Sequence, residues 1–277
     1  MNLVAKRVEL PGRMSGFLSH PANVRESLPG VLVLQEIWGV DAHIEDVAQR
    51  FAAAGYAALA PDFYSKGGGR PAEVAPPRME VAKQFLDTMA PQGWAALMNP
   101  QQREQELARF PEPERQLVGE TLGRLFSPDR MSRLTEYVKD ALASAEWLRA
   151  QPQCTGRRVG AVGFCMGGGL AASLATEDAQ LGAAVCFYGT PPTVERLSQI
   201  HCPLLGLYGQ DDPRLVALLP AFEAGMKKAG KELDLHVYPH TPHAFFNDTR
   251  ASYRVAAARD AWARTLSLLA RALSSPA

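Results

Sequence analysis

Short, fully apolar runs alternate along this chain with stretches in which apolar residues recur every three or four positions. Such runs are typical of strands buried on both faces, and the longer spacing is typical of amphipathic helices. The predicted strands cover residues 3–10, 13–20, 31–34, 56–60, 158–163, 182–188, 203–208 and 233–238, and the predicted helices cover residues 44–54, 135–150, 167–176, 215–229 and 251–273. This alternation predicts an α/β fold with a mostly parallel, doubly wound sheet.

One segment, residues 66–133, interrupts the alternation. It begins with a glycine-rich stretch and contains repeated prolines, between which lie short helix-like runs at residues 78–89, 101–109 and 114–126. Because a structureless loop of that length is improbable in a compact domain, we predict an inserted helical lobe over the strand ends. The whole chain, residues 1–277, then forms a single domain. A peripheral decoration without a role is the alternative interpretation of this segment.

Composition excludes several classes of protein. The 29 basic and 29 acidic residues balance to a net charge of +0 without a basic cluster, so no nucleic-acid partner is expected. No apolar run is long enough to predict a membrane span, and the first residues lack the apolar core of a signal peptide. The four cysteines form no Cys-x-x-Cys pair, which indicates reduced thiols and a cytoplasmic protein.

The string Gly163-Phe164-Cys165-Met166-Gly167 lies between a predicted strand and a predicted helix. This is the Gly-x-nucleophile-x-Gly elbow with cysteine in place of serine. Glycines are needed on both sides because the backbone of that turn comes too close to its neighbours for a Cβ atom. The pattern predicts Cys165 as an exposed nucleophile. A small cysteine packed in a glycine-rich turn is the alternative.

A cysteine nucleophile needs a base, and in this fold the acid follows the nucleophile and the histidine follows the acid. His243 lies in a loop after the last predicted strand and before the last helix, so we predict it as the base. His240 is the alternative in the same loop. The two histidines have no third ligand nearby, so no metal site is expected.

The acid should end a strand between Cys165 and His243. Gly209 closes an apolar strand, and Asp211 follows two residues later, so we predict that Asp211 orients the histidine. Asp212 is the competitor. It directly precedes Pro213 and is predicted instead to start the next turn.

These strings resemble the dienelactone hydrolase family, also called carboxymethylenebutenolidases. The resemblance covers residues 30–64 and 135–270 and includes Gln35-Glu36-Ile37-Trp38-Gly39-Val40, the elbow, and the loop that carries His243. It implies an α/β-hydrolase fold, a Cys-His-Asp triad, no metal or organic cofactor, and a small lactone or ester as the substrate.

The resemblance also implies roles for individual residues. Glu36 would lie beside Cys165 and keep the resting thiol neutral, because like charges repel at short range, until substrate displaces it. The backbone N–H groups of Ile37 and Met166 would form the oxyanion hole. Residues expected to contact substrate are Trp38, Tyr64, Tyr188 and Arg103.

Two departures from the family pattern concern specificity. The family grips a substrate carboxylate with two arginines, and the position four residues after the catalytic histidine is Asn247 here. Arg103 resembles the other arginine by its local string, and Arg250 is the nearest later arginine. Because asparagine cannot replace a bidentate charged contact, we predict weaker selectivity for anionic lactones unless Arg250 or an arginine of the lobe takes over.

The sequence therefore predicts a cysteine hydrolase that cleaves a lactone or small carboxylic ester through an acyl-enzyme. A broad esterase or thioesterase, with the lobe selecting a larger substrate, is the first alternative. A non-catalytic α/β-hydrolase fold that serves as a ligand or interaction module is the second. The sequence leaves the oligomeric state open.

Overall fold

The structure is a computed structural model, and it describes residues 2–89, 97 and 99–275. One eight-stranded sheet organises the chain, in the order β1-β2-β4-β3-β5-β6-β7-β8. The strands are β1 Leu3–Leu10, β2 Met14–Pro21, β3 Gly30–Leu34, β4 Ala57–Pro61, β5 Val159–Phe164, β6 Leu181–Phe187, β7 Leu204–Gly209 and β8 Leu233–Tyr238. Strand β2 runs antiparallel to both of its neighbours, whereas the six strands β3 to β8 are parallel to one another. The predicted α/β-hydrolase architecture is confirmed.

The helices follow the predicted pattern with small shifts. They are α1 Ala42–Ala53, α2 Pro76–Asp87, α3 Pro100–Leu107, α4 Glu114–Leu125, α5 Arg130–Arg149, α6 Met166–Glu177, α7 Pro213–Val216, α8 Leu219–Lys228 and α9 Val255–Leu273. The helix predicted over 215–229 is divided into α7 and α8 because Pro220 has no N–H to continue a helix and is tolerated only in a first turn.

Small residues in the central strands let helices approach both faces of the sheet. A Cβ on Gly30 of β3 would lie 3.0 Å from Leu148 of α5, and one on Gly160 of β5 would lie 3.1 Å from Leu269 of α9. Gly30 pairs with Val159, the residue before Gly160, so these two glycines face opposite sides of the sheet. Helices α5 and α9 therefore cover opposite faces, and the apolar core lies on both sides of strands that are buried throughout.

Helices α2, α3 and α4 lie between β4 and β5, within the segment interpreted as a lobe. Phe85 of α2 packs edge-on against Phe110, with ring centroids 4.8 Å apart. The hydroxyl of Thr121 in α4 donates to the carbonyl of Glu73 at 2.7 Å. These contacts hold the helices to one another and to the loop that follows β4. The assignment of residues 66–133 as an insertion in one domain of residues 1–277 stays a prediction. Within the described ranges, no helix is both long and apolar enough to span a membrane.

Candidate active site

Cys165 occupies a strained turn between β5 and α6. Its backbone has φ 54° and ψ −113°, a conformation that costs energy for any residue with a Cβ. A Cβ on Gly163 would come within 1.9 Å of the carbonyl oxygen of Gly167, and one on Gly167 within 2.1 Å of that of Leu34. Both glycines of the elbow are therefore required by contact with backbone atoms, and the thiol of Cys165 is left partly exposed.

His243 is held by Asp212, and the prediction of Asp211 is wrong. Nδ1 of His243 lies 2.6 Å from Oδ2 of Asp212. The side chain of Asp211 is exposed, and its backbone N–H donates to the carbonyl of Thr241 at 3.0 Å. Strand β7 ends at Gly209 and the chain turns directly afterwards. The side chain of Asp212, rather than that of Asp211, therefore faces the loop that carries His243.

Asp212 also starts the turn that the sequence indicated for it. Its second carboxylate oxygen accepts the backbone N–H of Leu215 at 3.4 Å and caps the short helix α7. The prediction that Asp212 starts the next turn agrees with this contact, but one carboxylate has two oxygens, so Asp212 can both cap α7 and hold His243. An aspartate directly before a proline, three residues after the end of a strand, is the signal that could have found this residue.

A hydrogen bond joins the side chain of Cys165 to the ring of His243. Burial disfavours the imidazolium, but the negative charge that Cys165 carries once its thiol is ionised, together with hydrogen bonds to Asp212 and Cys165, raises the pKa of His243 to about 10. Conversely, burial opposes ionisation of Asp212, but the hydrogen bond and charge of His243 hold its pKa below the usual range. A proton that leaves the thiol is therefore favourably held by His243.

The structure separates the two histidines of the loop. Whereas His243 joins Cys165 and Asp212, His240 lies at an exposed turn with φ 50° and donates its backbone N–H to Gln210 at 3.3 Å. Across the described part of the chain, no three His, Cys, Asp or Glu side chains are grouped as metal ligands would be.

Glu36 is buried, with 2% of its surface exposed, and both of its carboxylate oxygens accept hydrogen bonds. Asn247 Nδ2 donates to Oε2 at 2.8 Å, and the hydroxyl of Tyr188 donates to Oε1 at 3.3 Å. Glu36 precedes Ile37 at the end of β3, so its charge lies at the same end of the parallel strands as the elbow. The residue at the family's arginine position therefore binds a protein carboxylate.

Tyr188 connects Glu36 with the histidine. It follows β6, is buried, and has a positive φ of 39°, which is uncommon for a residue with a side chain. Its ring centroid lies 5.0 Å from that of His243. The sequence predicted Tyr188 as a substrate contact. In the structure its hydroxyl instead donates to Glu36 and its ring packs beside His243, so Tyr188 positions these two candidate catalytic side chains.

Backbone amides near Cys165 are available for an oxyanion. Met166 begins α6, and the first N–H groups of a helix have no partner within it. Ile37 follows Glu36 in a turn closed by a hydrogen bond from the N–H of Gly39 to the carbonyl of Glu36 at 3.3 Å. The hydroxyl of Tyr64 donates to the carbonyl of Ile37 at 2.8 Å and fixes this peptide.

A cavity of about 260 Å³ lies between these residues and the lobe. Ile37, Tyr64 and Met166 line it together with residues of α4 and α5. Cys165 and His243 are not among its lining residues, so the cavity adjoins the elbow through Ile37 and Met166 rather than enclosing the thiol.

Two predicted substrate contacts lie away from this cavity. Trp38 is buried between Lys83, whose Nζ lies 5.9 Å from the ring centroid, and Arg250, whose guanidinium carbon lies 5.2 Å away. It lines a separate groove with Arg250. Arg103 donates to the carbonyl of Leu97 at 3.2 Å. Of the four predicted contacts, Tyr64 alone lines the cavity beside the elbow.

The sheet order and the cysteine elbow define the chain as an α/β-hydrolase. The family model described as Dienelactone hydrolase family matches residues 14–273, and the chain belongs to that family. The chain is thus a hydrolase of this family.

Individual relatives agree with this assignment. A protein of Saccharolobus solfataricus named "Putative carboxymethylenebutenolidase" is 34% identical over 94% of each chain. One of the same name from Methylorubrum extorquens is 29% identical over 95% of this chain and 79% of its own length. The crystal structure of a "Putative Dienelactone Hydrolase" from Klebsiella pneumoniae superposes with a TM-score of 0.73 at 26% identity, covering 98% of this chain and 100% of that chain.

Proposed function

We propose that this hydrolase cleaves a lactone or small carboxylic ester with Cys165 as its nucleophile. The observation that carries the proposal is the arrangement of three side chains: Cys165 projects from the elbow, contacts the ring of His243, and His243 is held through Nδ1 by Asp212. The substrate class is supported by the two relatives described above, both of which are named "Putative carboxymethylenebutenolidase". This arrangement is the one that nucleophilic acyl transfer requires.

In the first half-reaction, Sγ of Cys165 attacks the ester carbonyl carbon while its proton passes to Nε2 of His243. The carbonyl π electrons move to oxygen, and the N–H groups of Ile37 and Met166 stabilise the resulting oxyanion. When the oxyanion collapses, the bond to the leaving oxygen breaks and that oxygen takes the proton from Nε2. A thioester on Cys165 remains, and in a lactone the released alcohol stays attached to the acyl chain.

In the second half-reaction, Nε2 of His243 removes a proton from water as the water oxygen attacks the thioester. The second tetrahedral intermediate expels the thiolate of Cys165, which recovers its proton from His243. Asp212 keeps the same tautomer and stabilises the imidazolium in both halves. Because its pKa is held below the usual range, it stays ionised throughout.

Glu36 has an electrostatic role in this proposal. Its buried carboxylate disfavours a thiolate nearby in the resting enzyme, as the family resemblance implies. Asn247 and Tyr188 set where that charge lies. The four cysteines are all free thiols, which suits the reducing cytoplasm we propose for the enzyme.

Substitution of the nucleophile tests the proposal. Cys165→Ala should lower the turnover of a panel of lactones and p-nitrophenyl esters by at least about 10³-fold, because triad removal costs that much or more. The protein should keep its circular dichroism spectrum, since alanine fits the elbow. Cys202→Ala is the matched control, because that thiol is buried beside β7, and it should keep wild-type turnover. Wild-type rates in Cys165→Ala, or acyl-probe labelling at another cysteine, would remove Cys165 from the reaction.

A further inference from the structure

The turn that follows β3 carries one of the two amides proposed for the oxyanion hole, the N–H of Ile37. A trans peptide group is planar and its N–H points opposite to its carbonyl, so the direction of this N–H is set by the carbonyl of Glu36. That carbonyl accepts the N–H of Gly39 at 3.3 Å, which is long for a hydrogen bond of this kind. Contacts that fix Gly39 therefore also help to fix the N–H of Ile37.

Arg70 holds Gly39 from outside the turn. Gly39 has φ 83°, in the left-handed region that favours glycine, and a Cβ there would lie 2.6 Å from Nη2 of Arg70. The guanidinium thus packs directly against the backbone of Gly39. The same Nη2 donates to the carbonyl of Val40 at 2.9 Å, so one side chain fixes both residues at the end of the turn.

Arg70 is itself fixed by a buried ion pair. Its Nε donates to Oδ2 of Asp62 at 2.7 Å, and the two side chains are 9% and 7% exposed. The other carboxylate oxygen of Asp62 accepts the backbone N–H of Tyr64 at 3.3 Å. Because a guanidinium carries several N–H donors in a rigid plane, Arg70 can bind the carboxylate and the Val40 carbonyl at the same time.

Tyr64 fixes the next peptide of the turn. Its hydroxyl donates to the carbonyl of Ile37 at 2.8 Å, and burial raises the pKa of Tyr64, so this hydroxyl stays protonated. Although Tyr64 lines the cavity beside the elbow, its one hydroxyl proton is already donated to the protein. Arg70 lines the separate groove beside Trp38. The contacts of both polar groups are therefore with the turn.

We propose that Arg70 and Tyr64 are positioning residues that hold the N–H of Ile37 toward the oxyanion. The inference rests on the reaction proposed above and adds to it two residues that act through the turn. A donor stabilises the transition state because it already points to the place where negative charge develops. Loss of either side chain should therefore lower kcat and leave KM nearly unchanged.

Two variants test these contacts. Tyr64→Phe removes one hydroxyl, and Arg70→Lys keeps a positive charge beside Asp62 but gives up the planar fork. Each should lower kcat on the most rapidly cleaved p-nitrophenyl ester by roughly 10- to 100-fold, less than the loss of a whole oxyanion donor. Tyr56→Phe is the matched control and should keep wild-type kcat, because this buried tyrosine precedes β4, at the opposite end of the strand from Asp62.

A double variant separates positioning from stability. Asp62→Asn/Arg70→Met removes both buried charges together, so neither is left unpaired and the midpoint of urea unfolding should stay near that of wild type. Because the donor to Val40 is still missing, kcat should stay as low as in Arg70→Lys. Recovery of wild-type kcat in this double variant, or wild-type kcat in Tyr64→Phe, overturns the inference and leaves the proposed nucleophile intact.

The oxyanion itself gives a measurement that a general loss of packing would not change. When Sγ of Cys165 adds to the carbonyl carbon of trifluoroacetophenone, the thiol proton passes to His243 and the carbonyl π electrons move to oxygen. With carbon-13 at that carbon, the chemical shift of the adduct followed against pH reports the pKa of its hydroxyl. This pKa should rise in Tyr64→Phe and Arg70→Lys, because the oxyanion is stabilised less well.

The same adduct distinguishes failure of the inference from failure of the proposed function. Tyr56→Phe should give the wild-type pKa for the adduct hydroxyl. Equal values in wild type, Tyr64→Phe and Arg70→Lys overturn the inference, while formation of the adduct still supports Cys165 as the nucleophile. If wild type forms no adduct, the proposed nucleophile is wrong and the inference falls with it.

Discussion

Asn247 and Glu36 lie 211 positions apart in the chain and are joined by a hydrogen bond of 2.8 Å from Nδ2 to Oε2. Both are buried, with 1% and 2% of their surfaces exposed. The Glu36 carboxylate, which precedes the turn at Ile37, is thus held by neutral donors, the amide of Asn247 and the hydroxyl of Tyr188. An arginine at residue 247 would give Glu36 a full counter-charge, whereas asparagine leaves its negative charge uncompensated at this contact.

Asn247→Asp should destabilise the fold at neutral pH. In wild type, Oδ1 of Asn247 accepts hydrogen bonds from the N–H of Thr249 at 3.1 Å and from the Thr249 hydroxyl at 2.6 Å, and aspartate can keep both. The amide group that donates to Glu36, however, becomes a second carboxylate oxygen. We expect a loss of about 1–3 kcal/mol in the free energy of unfolding by urea at pH 7. The loss should shrink toward pH 5, because two adjacent carboxylates share a proton more readily as the pH falls.

The double variant Glu36→Gln/Asn247→Asp is its control. It exchanges donor and acceptor across the same contact and should recover most of the lost stability. If Asn247→Asp unfolds at the wild-type urea concentration at pH 7, the contact contributes nothing to the fold.

The adjacent aspartates give a direct comparison of activity. Asp212→Asn should lower kcat by roughly 10²- to 10⁴-fold on the p-nitrophenyl ester panel, because an amide neither fixes the tautomer of His243 nor stabilises the imidazolium. Asp211→Asn removes an exposed charge one residue away and should leave kcat near that of wild type. The opposite ranking of the two variants would restore Asp211 as the acid.

The pKa of His243 should fall when its negative neighbours are removed. The charge of Cys165 and the bond to Asp212 raise it to about 10 against the effect of burial, so Cys165→Ala should lower it and Cys165→Ala/Asp212→Asn should lower it further. Nuclear magnetic resonance titration of the ring Cε1–H measures both. Adding Asp211→Asn to Cys165→Ala should cause no additional fall, and a rise in either main variant contradicts the assignment.

The same pKa has a consequence for stability. Because folding raises the pKa of His243, its contacts with negative partners stabilise the fold fully at pH values below the pKa of the unfolded state, about 6.5. This stabilisation is lost as the pH rises through the pKa of the folded state.

The elbow glycine Gly167 should not tolerate a side chain. Gly167→Ala places a Cβ 2.1 Å from the carbonyl oxygen of Leu34, a backbone atom that cannot move without displacing β3. We expect a large loss of stability or of soluble protein, measured by thermal unfolding. Gly123→Ala in α4 is the control, because a Cβ there meets nothing within 4 Å, and it should stabilise the protein by about 0.5–1 kcal/mol. A Gly167→Ala variant as stable as wild type would refute the close packing of the elbow.

Patterns with a short range were predictable from the sequence. The starts of β5 and α6 fall within one residue of the prediction, because an apolar run, two glycines and a small-residue helix specify the elbow locally. The sequence predicted one helix where the structure has α7 and α8, because two consecutive short helices have the same apolar spacing as one continuous helix. Pro220 is the local signal for this division.

Contacts between distant positions were not predictable in the same way. The choice between Asp211 and Asp212 depends on where the chain turns after β7, and a shift of one residue reverses the direction of a side chain at a strand end. The hydrogen bonds of Glu36 with Tyr188 and Asn247 depend on how three loops meet at the ends of β3, β6 and β8. No local pattern carries that information.

The long separation between Glu36 and Asn247 has a consequence for synthesis of the protein. The turn at Ile37 follows β3 and the elbow follows β5, and both leave the ribosome well before the loop that carries His243 and Asn247. A nascent chain that has folded its first five strands holds Cys165 without its base and Glu36 without the amide that binds it. If Cys165 and His243 act as proposed, ester cleavage begins only when translation has passed residue 247 and the final loop has docked, so partial chains should not be active.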